Sequence, residues 1–234
     1  MKTPLKKPSL GRQALERLHG VQKGAGRFFK RPTSGMRTEL TANGKPVIFI
    51  HNPRAGGRSL EAFFNVERLS HAFPVDRLNE KHWLENFVVT SVRHPLERFF
   101  SGYFSFVMTP VKNSLVKLYG WGIKELDALE YLDLIKKHPS HIGPQVQWSD
   151  FPSVTKPRAD LVLRFENIAK WSEDIAAAGV DIQGRTIPHI GKSGNKKEVE
   201  PADVRLDARG FTILKDRVFD HLRADFEAFG YTMP

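Results

Sequence analysis

The stretch VIFIHNPRAGGRSLEAFF, residues 47 to 64, decides how this chain reads. Val47 to Ile50 is a short unbroken apolar run, the pattern of a parallel strand buried on both faces. A compact loop follows at once, built from Asn52, Pro53, Arg54, Ala55, Gly56, Gly57, Arg58 and Ser59. Leu60, Phe63 and Phe64 then recur at helical spacing, so the loop empties into a helix start, where free N–H groups and the helix dipole favour negative charge. Two glycines would let the backbone approach an anion, and Arg54 and Arg58 would add cations. The unit reads as an anion site.

A second unit of the same kind follows. Phe87, Val88, Val89 and Val92 form another inner strand that ends at Arg93-His94-Pro95, and Leu96, Phe99, Phe100, Tyr103, Phe104 and Val107 make one long apolar helical face. Pro95 suits a helix start, where a missing N–H costs nothing. Arg93 leaves the strand at its C-terminal end, the edge at which open α/β sheets bind ligands, and Ser101 can turn its hydroxyl toward the same anion. Arg98 reads equally well as a surface charge. Against the nucleotide pattern G-x-x-x-x-G-K-[ST] the first loop fits poorly: Asn52 replaces the first glycine and Arg58 the lysine.

Taken together the two units resemble the donor-binding signatures of the sulfotransferase superfamily, in its membrane-type carbohydrate branch. Pro53 to Leu60 is similar to the 5′-phosphosulfate loop P-K-[TA]-G-[GT]-[TS]-[SA]-L, and Arg93 to Tyr103 to the 3′-phosphate element R-[DHN]-P-x-x-R-x-x-S-x-Y. His141 to Gln145 resembles an H-x-x-P-Q run, and Asp160 to Asn167 a strand ending in R-[FY]-E. Pro188 to Ser193 resembles P-H-x-N-x-S with Gly191 in place of asparagine, and Asp225 to Tyr231 a closing D-F-x-x-[FL]-G-Y.

The resemblance implies a three-layer, P-loop-like α/β fold with a central parallel sheet flanked by helices. It implies 3′-phosphoadenosine 5′-phosphosulfate (PAPS) as donor, 3′-phosphoadenosine 5′-phosphate as product, no metal, and a hydroxylated glycan as acceptor. Donor-binding residues would be Pro53, Arg54, Ala55, Gly56, Gly57, Arg58, Ser59, Leu60, Arg93, Ser101, Lys192 and Ser193. Arg54 stands where the family places a catalytic lysine; it keeps the charge but cannot donate a proton as lysine does. His71 is the first choice for the base that takes the acceptor proton, since an imidazole titrates near neutral pH, with His141 and Glu61 behind it. His51 and His94 read as flanks of the anion loops.

Composition agrees. At 234 residues, with 40% hydrophobic content, the chain suits one α/β domain. There is no cysteine, and the nine histidines show no metal-binding spacing. Residues 1 to 45 hold eleven Lys or Arg and two Glu, so +9 of the net +10 sits there. Residues 1–44 therefore read as a basic, partly disordered arm able to touch an anionic surface, and residues 45–234 as the domain. No run of 18 apolar residues and no signal-peptide core occur, which points to a soluble cytoplasmic protein of bacterial type without integral membrane association. Leu126 to Ile135 marks a helix that would wall the acceptor site, with Trp148 a candidate to stack on a sugar. A strand over Leu161 to Phe165 and a final helix bearing Phe211 to Phe229 complete the reading. A P-loop kinase, and a non-catalytic module binding anions or nucleic acid, are the alternatives.

Overall fold

The computed structural model describes residues 36–66, 71, 73–137, 142–190 and 198–233. Lys192, Ser193, His141 and residues 1–35 lie outside them. Four strands, β1 (Arg37–Ala42), β2 (Lys45–Ile50), β3 (Phe87–Val92) and β4 (Leu161–Arg164), form one open sheet in the order β1-β2-β3-β4. β2, β3 and β4 run parallel, while β1 pairs antiparallel with β2. The expected parallel sheet thus gains an antiparallel edge.

That edge corrects the expected boundary at residue 44, because β1 lies inside the span assigned to the arm. Ala42 pairs with Lys45 across Asn43 and Gly44, both at positive φ, as a tight two-residue hairpin requires. Met36 is also buried, and its carbonyl accepts from the Phe49 amide at 3.0 Å. The fold begins by residue 36.

Alternation along the strands builds two cores, one on each face of the sheet. Val47, Phe49, Val89 and Leu163 point to one face, against Leu60, Phe63 and Phe64 of helix α1 (Gly57–Phe63) and its C-cap, and Trp171 and Ile175 of α8 (Trp171–Ala177). Ile48, Ile50 and Val88 point to the other, against Trp83, Trp148 and Phe151. These come from α3 (Glu80–Glu85), α7 (Val146–Ser149) and the segment after it, with the short α2 (Pro74–Arg77) alongside. Burial on both faces is why Val47 to Ile50 of β2 is an unbroken apolar run and why, in β3, the buried Thr90 hydroxyl donates to the Ile50 carbonyl.

A third core is wholly helical. α4 (Pro95–Tyr103) continues into a π turn, Phe104–Met108, and packs with α5 (Ser114–Tyr119), a 3-10 turn at Trp121–Glu125, α6 (Ala128–Lys136) and the long α9 (Ala208–Phe229). The expected apolar stripes meet here: Phe99 and Tyr103 on Tyr131, and Phe100 on Phe211. No helix among the described residues is long and apolar enough to cross a membrane.

Candidate functional site

Both expected loops leave the C-terminal ends of neighbouring parallel strands, β2 and β3, and side chains tie them together. Arg54, at φ 66°, turns its guanidinium onto α4. Nη2 donates to the Ser101 hydroxyl (2.8 Å) and carbonyl (2.9 Å), Nε to the same hydroxyl (3.2 Å), and Nη1 to the Ser105 hydroxyl (3.2 Å). A non-glycine residue in the left-handed region costs on the order of 1–2 kcal/mol, and these charge-assisted bonds offset it. The sequence reading puts Arg54 and Ser101 on different anionic groups. In the structure they hold each other.

Arg98 is fully buried, so the surface-charge reading is wrong for it. Its Nε donates to the Pro53 carbonyl and its Nη1 to the Gly143 carbonyl, each at 2.8 Å, and its plane lies 5.4 Å from the Trp148 ring. Burial pushes its pKa down to about 10 while Asp225 of α9 pulls it up, and it stays protonated at neutral pH. Gln145 is the other strut. It accepts from the Arg93 amide and donates to the Arg93 carbonyl, both at 2.8 Å, and also accepts from Asn52 Nδ2 at 3.3 Å. Asn52 in turn donates to the Ser91 carbonyl at 2.9 Å. The second loop's backbone is thereby fixed against the first.

The later motif residues converge on the same loop. Glu166 accepts from the His94 amide (2.6 Å) and the Tyr231 hydroxyl (3.0 Å), and His94 Nε2 donates to the Thr232 carbonyl (2.9 Å). Phe165 lies under the Arg93 guanidinium, 4.6 Å away. Arg93 itself bonds Glu97 at 3.2 Å, with the carboxylate side chain 57% exposed. Solvent at the exposed Glu97 carboxylate screens the pair, which then contributes on the order of 1 kcal/mol, so a phosphate can displace Glu97 cheaply.

Arg54 of the first loop is coupled electrostatically to Arg93 at the end of β3 and to Arg98 of α4. Burial lowers the Arg54 pKa first of all, Tyr131 opposes this, and Arg93 lowers it further; Arg54 likewise lowers that of Arg98. Such a concentration of positive charge, countered by Asp225 and an exposed Glu97, suits an anion. Among the described residues no backbone carbonyl accepts from the amides of Arg54, Ala55, Gly56, Gly57 or Arg58.

Other loop residues are placed differently from expectation. The glycines answer to packing: a Cβ at Gly56 would come 2.6 Å from the Trp171 ring, and one at Gly57 would come 2.4 Å from the His51 ring. Trp171 and His51 fill the space that a side chain at these two positions would need, while among the described residues no backbone carbonyl engages the loop amides. Ser59 is buried, and its hydroxyl accepts from the Ile190 amide at 3.2 Å instead of facing the loop, which docks the Pro188–His189–Ile190 segment on α1. Pro53, Ala55 and Leu60 are buried scaffold. Arg58 is exposed and lines an open cleft with Glu61, Ala62, Asn65, Val66 and Ile190. Trp148, the candidate sugar platform, is fully buried against Phe73 and carries no sugar face.

His71 lies beside a pair that sequence reasoning left apart. His51 Nδ1 donates to Glu61 Oε1 at 2.6 Å, both side chains nearly buried, and the His71 ring meets the His51 ring edge-on at 4.9 Å. Two of the three base candidates thus share one cluster, and Glu61 of that cluster also lines the cleft with Arg58. His51, read as a flank, is its centre. A signal was present: Glu61 sits one turn into the helix that follows the His51 strand, so its side chain points back to the strand end.

No protein-family model, no curated protein and no solved structure matches this chain.

Proposed function

We propose that the protein is a sulfotransferase of P-loop-like fold that moves a sulfonyl group from PAPS to a hydroxyl of a carbohydrate acceptor. The observation that carries this reading is the cross-linking of two cationic strand-to-helix loops into one site, through Arg54 with Ser101, Arg98 with Pro53, and Gln145 with Arg93 and Asn52.

The residues present fit a donor with two separated anionic groups. The amides from Arg54 to Arg58 and the Arg54 guanidinium would hold the 5′ group, and Arg93, exchanging Glu97 for a phosphate, the 3′ group. Bound there, the nucleotide supplies an activated sulfonyl group. Arg54 would stabilise negative charge on the departing 5′-phosphate, since its fixed fork bonds two oxygens at once without giving up a proton. Its bonds to Ser101 and Ser105 are then partly exchanged for bonds to the donor.

His71, exposed at the edge of the cluster, takes the acceptor proton. His51, oriented by its bond to Glu61, positions the His71 ring. Arg58, on the cleft that Glu61 also lines, is placed to meet a negative charge on the acceptor.

The test is transfer of label from sulfur-labelled PAPS to a panel of uronate-containing and neutral glycans, with Arg54→Lys alongside. Transfer to at least one glycan is expected, and Arg54→Lys should retain it. Tight nucleotide binding with no transfer to any hydroxyl would contradict the catalytic part.

A further inference from the structure

Among the described residues, large apolar side chains are exposed at eight positions, and four of these, Met108, Val111, Leu118 and Trp121, fall between residues 108 and 121. Such clustering is not what scattered surface apolars show. The four ride on one small unit made of the π turn, α5 and the 3-10 turn. Lys124 pins it by donating to the Phe106 and Thr109 carbonyls at 2.6 Å each, and Asn113 donates to the Phe106 carbonyl at 2.8 Å. The unit's inward positions are already filled by Leu115, Val116 and Ile123, so the outward ones add nothing to the core. Leu118 is 62% exposed, Trp121 57% and Val111 55%.

Charge says what would cover them. From Thr109 to Lys124 the chain carries Lys112, Lys117 and Lys124 and no acidic residue; Glu125 and Asp127 follow. Lys112 and Lys117 are exposed and adjoin Val111 and Leu118 in sequence. An indole and aliphatic tips bordered by lysines match the interface of a bilayer with anionic headgroups, whereas two copies of the same basic face would repel. We propose that this unit docks on an anionic phospholipid surface, with Leu118 and Trp121 entering the headgroup region and Lys112 and Lys117 lying on the phosphates. The contact is peripheral. It does not rest on the transfer reaction, although Ser105, which holds Arg54, belongs to the same π turn as Met108.

The chain reports on this contact by itself. Of its four tryptophans, Trp83, Trp148 and Trp171 are fully buried, so Trp121 is the one that changes environment on docking. The full-length protein is sedimented with vesicles of phosphatidylcholine containing a minority of phosphatidylserine, made with or without brominated acyl chains. Co-sedimentation, a blue shift of emission and quenching by the brominated lipid are expected. Leu118→Asn should weaken partitioning about tenfold, and Lys112→Ala or Lys117→Ala about fivefold each at low salt, with thermal unfolding unchanged. Three results would overturn the proposal: no co-sedimentation; co-sedimentation without quenching, which assigns binding to the basic arm; or a lipid-free dimer that shields Trp121 and dissociates on Leu118→Asn, which assigns the surface to a second copy.

Discussion

Replacing Arg98 by methionine removes the strut that joins the first loop to the helical layer while keeping most of the side-chain volume. Two carbonyls, those of Pro53 and Gly143, lose their 2.8 Å charged donors, and buried Asp225 loses the positive charge facing it. Breaking a buried ionic arrangement from one side costs about 3–5 kcal/mol, which for a domain of this size lowers the melting temperature by about 10 °C or more. Asp225 gives the loss a pH signature. Burial already holds its carboxyl above the usual carboxylate range, and Arg98 is the largest opposing influence. Without Arg98 the carboxyl titrates higher still. A carboxyl whose folded pKa exceeds its unfolded value favours the folded state when protonated, so stability is lost as pH rises from the unfolded pKa through the folded one. The Arg98→Met deficit should therefore be smallest in acid and largest at neutral pH, and Arg98→Met with Asp225→Asn should recover part of it. Urea unfolding followed by near-ultraviolet circular dichroism across pH measures both. A neutral-pH deficit below about 1 kcal/mol, or one unmoved by Asp225→Asn, would refute the strut.

Further perturbations separate packing, positioning and chemistry. Gly56→Ala should cost about 2–4 kcal/mol in denaturant unfolding, because φ is +82° and Trp171 fills the Cβ position; Gly44→Ala, at φ +77° with open space around it, should cost only about 1 kcal/mol. Gln145→Ala frees the Arg93 amide and carbonyl together and should destabilise by about 2–3 kcal/mol while weakening nucleotide binding about tenfold in calorimetry. His71→Ala should lower transfer turnover by a factor of about 10²–10⁴ and leave nucleotide affinity unchanged. Equal turnover would place the base elsewhere.

Much of the framework is legible in the sequence because burial on two faces writes a distinctive pattern. Val47 to Ile50 and Phe87 to Val92 read directly as inner strands, and the stripes of α4 and α9 as packing faces. β1 is hidden, since Arg37, Glu39 and neighbouring polar residues blend into the basic arm; the Asn43-Gly44 pair was the signal for it. The site is less legible because the direction of a long side chain depends on acceptors far away in the chain. Arg98 and Arg93 are five residues apart in one motif, yet Arg98 turns inward to a carbonyl 45 residues distant while Arg93 turns to an exposed neighbour. The glycines show the same limit: their spacing points to an anion, but Trp171, which fills the Cβ position at Gly56, becomes a neighbour only through tertiary packing. The pairing of His51 with Glu61 likewise depends on how α1 folds back over β2.

The central claim is that the two loops form one site for a nucleotide carrying a 5′ and a 3′ anionic group. The direct measurement is calorimetric titration of the protein with 3′-phosphoadenosine 5′-phosphate and with adenosine 5′-phosphate, repeated for Arg93→Ala and Ser101→Ala. The account predicts that the 3′-phosphate tightens binding at least about tenfold, that Arg93→Ala abolishes the difference, and that Ser101→Ala reduces it. Equal affinity of the unmodified protein for the two nucleotides would contradict it.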